Sequence, residues 1–178
     1  LKKGEFSYSK NDIIAFSGNT GFSFGPHLHF ELRDEKGNIL NPLTNGISQP
    51  DRIAPIVEEV GITPLSKDSW INGGQLPQNF PVFRDKKGEY HLADTINAYG
   101  KIGLSIKTYD RREGAKNKYQ PHRIEIFLND KLYHNLEFEQ LDYGLQSTAN
   151  FINDYRNSRL NLGNFIKLYK NFGDPYVP

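Results

Sequence analysis

His27 and His29 stand two residues apart in His27-Leu28-His29-Phe30-Glu31-Leu32-Arg33, which alternates strictly between polar and apolar residues. That alternation is the pattern of a half-buried strand, whose successive side chains point to opposite faces. Both imidazoles then share one face, their Cα atoms about 6.6 Å apart at ~3.3 Å per residue. Two rings at that spacing can serve one centre, while Leu28, Phe30 and Leu32 are expected to face the core and hold the strand. Neutral imidazole is a natural zinc ligand, and a catalytic zinc keeps three protein ligands and a water. Glu31 lies on the same face but about 13 Å along the strand from His27. With zinc bonds of ~2.0–2.2 Å, one ion cannot collect all three from a straight strand, so at most two neighbours here serve one metal.

The elements around the pair are turns and short strands. Asp12-Ile13-Ile14-Ala15-Phe16 is expected as an apolar strand, ended by Ser17-Gly18-Asn19-Thr20-Gly21, and Ser23-Phe24-Gly25-Pro26 turns the chain into His27. Asp34-Glu35-Lys36-Gly37-Asn38 is a polar hairpin-type turn, Ile39–Leu43 closes the region, and Asn45-Gly46 with Ser48-Gln49-Pro50 looks like a linker.

The string from Ser17 to Glu31, with its Gly-Pro-His-Leu-His-Phe-Glu core, resembles the signature that closes the domain of lysostaphin-like (LytM-type) zinc metallopeptidases. The match takes in the strand Ile13–Phe16 and the trailing Asn41-Pro42-Leu43, about residues 1 to 45. The resemblance implies that His29 ligates Zn2+ and that His27 is a catalytic histidine, orienting water or stabilising an oxyanion. It implies peptidoglycan peptides as substrate, and export to the periplasm or cell envelope of a bacterium. Two further ligands of the family come from an upstream His-x-x-x-Asp segment. None occurs here: His91, His122 and His134 are followed four residues on by Thr95, Ile126 and Phe138. An upstream part of the same protein is therefore expected to complete the site. The chain begins at Leu1 and contains no Met, which reads as a processed or trimmed piece.

Beyond the linker the pattern is of β-structure. Aromatics make up 13% of residues, with 16 Gly and 10 Pro, which suits short strands and turns better than helical bundles. Strands are expected at Ile53–Pro64, Pro81–Arg84, Tyr90–Ala93, Lys101–Tyr109 and Arg123–Asn129. The clearest pair is Lys101–Tyr109 with Arg123–Asn129, having Ile102, Leu104 and Ile106 on one face of the first and Ile124, Ile126 and Leu128 on one face of the second. Asn129-Asp130 makes a tight turn into Lys131–Phe138. Asp110–Gln120 is a polar loop, Ser147–Arg156 a short helix or irregular crossover, and Leu168-Tyr169-Lys170 the start of a further element. Trp70 is expected as a core or interface anchor, and the histidines of this region as structural or solvated. The expected fold is all-β: residues 1–48 are the C-terminal part of a small antiparallel β-barrel-like peptidase domain. Residues 49–178 are expected as an immunoglobulin-like β-sandwich accessory domain, incomplete in that Leu168-Tyr169-Lys170 starts another element shortly before the chain ends. This second region also resembles, through Asp51-Arg52-Ile53-Ala54-Pro55 and Gly100–Leu104, the β-sandwich that follows the peptidase in some exported bacterial proteins.

Lys plus Arg number 22 against 21 Asp plus Glu, a net charge of +1, without the basic footprint of a nucleic-acid binder. No apolar run approaches the ~20 residues that span a bilayer, and no h-region follows Lys2-Lys3 to make a signal peptide. Without cysteine there are no disulfides or thiolate ligands. Two other functional classes stay open: an inactive relative that binds peptidoglycan or regulates a cell-wall hydrolase, and a lipoyl- or biotinyl-type carrier. The carrier would need a modifiable Lys at a hairpin tip, which the sequence does not offer.

Overall fold

The computed structural model describes residues 6–21, 24–47, 51–141 and 151–170. Chain contacts divide it into two units, Leu1–Glu31 and Leu32–Pro178. The first is built of turns and extended segments. Its described residues carry no strand, and one antiparallel bridge joins Gly18 to His27. Asn11 takes the left-handed conformation (φ 79°) in a turn where the Ser9 N–H donates to Asp12 Oδ2 at 2.7 Å. Ile13, Phe16 and Leu28 are 77%, 89% and 80% exposed, and Phe30 is also exposed. This corrects the expectation that Leu28 and Phe30 face a core: without ladder partners among the described residues, the expected strands at Ile13–Phe16 and His27–Phe30 acquire no covered side.

The second unit is all-β apart from one short helix. Its strands are β1 (Leu32–Arg33), β2 (Ile39–Leu40), β3 (Ile56–Pro64), β4 (Trp70–Ile71), β5 (Gln78–Arg84) and β6 (Tyr90–Leu92). They continue with β7 (Ala98–Tyr99), β8 (Ile102–Tyr109), β9 (Arg123–Leu128), β10 (Lys131–Glu137), β11 (Gln140–Leu141) and β12 (Ile166–Lys167), with helix α1 at Tyr155–Arg159. The main sheet is antiparallel in the order β12-β8-β3-β5-β6. The strand β8 thus pairs with β3 and β12 rather than with β9, which pairs with β10 as a separate hairpin. The last element comes slightly earlier than Leu168-Tyr169-Lys170, and the helix starts only at the end of the expected 147–156 segment and runs beyond it to Arg159; residues 147–150 are outside those described.

The hairpins β1–β2 and β5–β6 are closed by the same local chemistry. In Asp34-Glu35-Lys36-Gly37-Asn38 and Asp85-Lys86-Lys87-Gly88-Glu89, one Asp Oδ1 accepts the backbone N–H groups two and four residues on, at 2.8–2.9 Å. The glycine then adopts φ +87° or +90°, a left-handed conformation that costs glycine little. The Glu89 N–H bond, against opposing desolvation and with help from His91, lowers the Asp85 carboxyl below its usual range. At Asp34 desolvation pushes upward, but bonds from the Asn38 side chain and backbone and from Lys36 outweigh it. The β9–β10 turn is of the primed type, Asn129 and Asp130 both having positive φ (50° and 63°), as the sequence indicates.

Register sets the two faces of the main sheet. Val60↔Ile106 and Ile62↔Leu104 are aliphatic pairs on one side, while Gly61 stands between Asn79 and Ser105 on the other. Over the second face lie Phe165, fully buried, and the amide of Asn157. The side chain of Asp154 caps α1 by accepting from Asn157 N at 3.1 Å and also accepts the Asn157 amide at 3.0 Å. The amide of Asn79 donates to Asn157 Oδ1 at 2.8 Å, so a buried polar chain ties the helix to β5. Between the adjacent strands β3 and β8, Lys107 bonds Glu59 at 2.7 Å and pairs with Glu58 at 3.5 Å. The Glu59 hydrogen bond, partly offset by desolvation, raises the Lys107 ammonium above its ordinary 10.5.

Two expectations are modified. Trp70 is 45% exposed on the two-stranded β4–β7 pair, opposite Tyr99, rather than anchoring the core. In the 110–120 loop Lys118 lies 3.8 Å from the Tyr109 ring centroid and Arg112 lies over Tyr119, so tyrosine faces organise its cations. Asn41 fastens β2 to the end of β10: its N–H donates to Glu139 O at 2.8 Å and its amide to Phe138 O at 3.0 Å. Residues 32–43 therefore belong structurally with the second unit. The linker residues 48–50 lie outside the described residues.

Candidate metal centre

The centre belongs to the first unit. The bridge to Gly18 sets His27 beside the 17–21 turn, and Gly21 makes that turn at φ +83°. His27 Nδ1 lies 2.9 Å from Gly25 O. A carbonyl accepts only, so Nδ1 carries the proton and Nε2 the lone pair. His29 Nε2 lies 2.8 Å from Glu31 Oε1. Facing an ionised carboxylate, Nε2 is the protonated nitrogen and Nδ1 carries the lone pair. Ligating imidazoles are oriented in this way, donating the second ring N–H to a carboxylate that also raises ligand basicity. The donor chemistry of His29 thus fits a divalent metal held through Nδ1, with Glu31 orienting the ring rather than binding. The His29 side chain is 74% exposed and that of Glu31 24%, so the ring is open to solvent while its carboxylate partner is held.

Three other histidines were expected to be structural or solvated, and the fold draws two of them into carboxylate clusters. Asp85, Glu89 and His91 meet at the β5–β6 turn, and His122, Glu137 and Glu139 meet beside the base of the β9–β10 hairpin. In the first, Asp85 is already the turn acceptor, and His91 Nε2 bonds its second oxygen at 3.1 Å. In the second, His122 Nε2 lies 3.4 Å from Glu137 and 3.3 Å from Glu139. The Asn41 amide is oriented by Phe138 O at 3.0 Å and by Leu43 N at 3.1 Å, and it donates to His122 Nδ1 at 3.2 Å. The proton of neutral His122 therefore resides on Nε2, shared between two carboxylates, and the nitrogen facing them is a donor rather than a metal ligand. The spacing of Glu137 and Glu139, two residues apart at the end of β10, was a visible signal for this cluster; its histidine, just before β9, was not.

Among the described residues no helix is long and apolar enough to cross a membrane. No family model matches the chain, and no solved structure matches it. A stretch of it is similar to a protein of Haemophilus influenzae described as an uncharacterized metalloprotease, 50% identical over 44 residues. Those residues are 25% of this chain and 9% of that protein, so the chain spans less than a tenth of its relative's length. A quarter of the chain is thus similar to part of a metalloprotease.

Proposed function

We propose that the full-length protein is an exported, zinc-dependent endopeptidase that hydrolyses cross-link or stem peptides of bacterial peptidoglycan. The observation that carries this reading is the His29–Glu31 pair at 2.8 Å within Gly-Pro-His-Leu-His-Phe-Glu, the donor arrangement of an oriented metal ligand. The similarity to a metalloprotease supports it independently of the geometry. His29 contributes one ligand through Nδ1, and polypeptide outside these 178 residues contributes the others. Zinc, when bound, polarises the scissile carbonyl and lowers the pKa of a water. Gly25 O holds His27 with its basic nitrogen at Nε2, which takes a proton from the attacking water or, once protonated, donates toward the developing oxyanion. The glycine turns at 18–21 and 25 leave room for an extended peptide of small residues. Residues 1–48 carry the closing part of a barrel-like peptidase domain, its last stretch, 32–43, packed with the accessory sandwich of 49–178.

Digestion of purified cross-linked peptidoglycan by the full-length protein, followed as newly released amino termini, tests the reading. The rate is expected to fall by ~10²–10⁴-fold in His27→Ala, the usual contribution of a positioned acid–base group. Retention of peptidoglycan without release of amines would replace the enzyme with an inactive binding relative.

A further inference from the structure

A cavity of about 640 Å3 lies between β8 of the main sheet and the β9–β10 hairpin. Its aliphatic floor is formed by Ile102 and Leu104 of β8 with Ile126 and Leu128 of β9. Cationic and aromatic groups gather round it: Lys101 before β8, Tyr133 and His134 on β10, Tyr169 and Lys170 after β12. No carboxylate is among its described lining residues. The backbone of Lys101 is anchored, its carbonyl accepting from Leu65 N at 2.9 Å and from Ser69 Oγ at 2.6 Å, and its ammonium has no ion-pair partner among the described residues. The half-buried His134 ring likewise makes no hydrogen bond among them. Burial, and next the charge of Lys170, hold His134 below its ordinary 6.5, so the ring is neutral at pH 7.

An apolar floor of this size with a few convergent polar groups has the composition of a small-molecule site. The sign of those groups selects an anion, because the Lys101 ammonium has no ion-pair partner among the described residues, no carboxylate is among the described lining residues, and an uncharged ligand would leave that charge unused. We propose that this cavity binds an aliphatic monocarboxylate, its hydrocarbon part on the Ile102–Leu104–Ile126–Leu128 floor and its carboxylate against the Lys101 ammonium. A bound carboxylate offsets the Lys170 charge felt by His134 and pairs with the protonated ring, so binding draws a proton onto the ring and strengthens as pH falls from 8 to 6.

The test is calorimetric titration of the full chain with decanoate and with decanol, repeated in two buffers of different ionisation enthalpy. Saturable decanoate binding is expected, at least about tenfold weaker for decanol and for Lys101→Gln, the loss that goes with one charge-assisted contact. Proton uptake is expected in the wild type and absent in His134→Gln, a substitution on a half-buried strand position that keeps a polar side chain. Acetyl-trileucine presents the same chemistry from a peptide C-terminus, and whichever of the two acids binds more tightly identifies the source. Absence of saturable binding of either acid overturns the proposal. So does equal affinity for decanol, or affinity and proton uptake unchanged in both variants.

Discussion

Gly61 offers the sharpest test of how the main sheet is packed. It sits in β3 between Asn79 and Ser105, its neighbours on β5 and β8. A methyl group placed there would overlap Ser105 Oγ, lie 3.0 Å from Asn79 Oδ1 and touch Phe165 at 3.4 Å. The backbone of Gly61 is not left-handed, so Gly61→Ala meets a packing obstacle and not a conformational one. Overpacking of this kind costs ~1–3 kcal/mol. The Ser105 hydroxyl is itself buried without a hydrogen-bond partner among the described residues, so Ser105→Ala removes an uncompensated polar group and is expected to stabilise by about 1 kcal/mol. In the Ser105→Ala background the main obstacle to the methyl group of Gly61→Ala is gone, and a coupling of ~1–2 kcal/mol between the two sites follows. Urea unfolding reads all four proteins. With a slope of ~2 kcal/mol per molar, Gly61→Ala alone lowers the midpoint by roughly 1 M, and the pair lowers it by much less. An equal drop in both backgrounds would refute the assignment of the strain to Ser105 Oγ.

Three further outcomes follow from the same geometry. Glu31→Gln keeps the shape of the side chain but removes the charge that orients His29, and zinc affinity of the full-length protein is expected to fall ~10–100-fold in competition with a chelator. Asp154→Ala removes the α1 cap and leaves the buried Asn157 amide short of an acceptor, a loss of roughly 2–3 kcal/mol in thermal or urea unfolding. The ammonium of Lys107 keeps its proton in the folded chain to a higher pH than in the unfolded one. Its contribution is therefore whole below the ordinary 10.5 and lost as pH climbs through the raised value, and Lys107→Met is expected to flatten that alkaline part of the stability curve.

Much of the second unit was legible in the sequence. Alternating aliphatics at 102–106 and 124–128 mark strands and their apolar faces, and Asn129-Asp130 carries its hairpin turn because both residues tolerate positive φ. Pairing was not legible, because a period-two pattern marks an apolar side but not which strand lies alongside. That is why β8 lies against β3 and β12 instead of β9. The Gly61–Ser105–Asn79 face was equally silent, since a glycine and two polar residues give no hydrophobic signal although they are packed beneath Phe165. In the first unit the alternation from His27 to Glu31 correctly placed His29 and Glu31 on one side, where they meet. It did not foretell the exposure of Leu28 and Phe30, because alternation records which residues are suited to a core and not which chain segment provides it.

The central claim is that His29 is a zinc ligand. Zinc content of the purified full-length protein, by atomic emission against protein concentration, tests it most directly. One equivalent of zinc in the wild type, lost in His29→Ala with the fold preserved by circular dichroism, is the predicted result. Unchanged zinc in His29→Ala, or no zinc taken up by the wild type under metal-replete conditions, would contradict it.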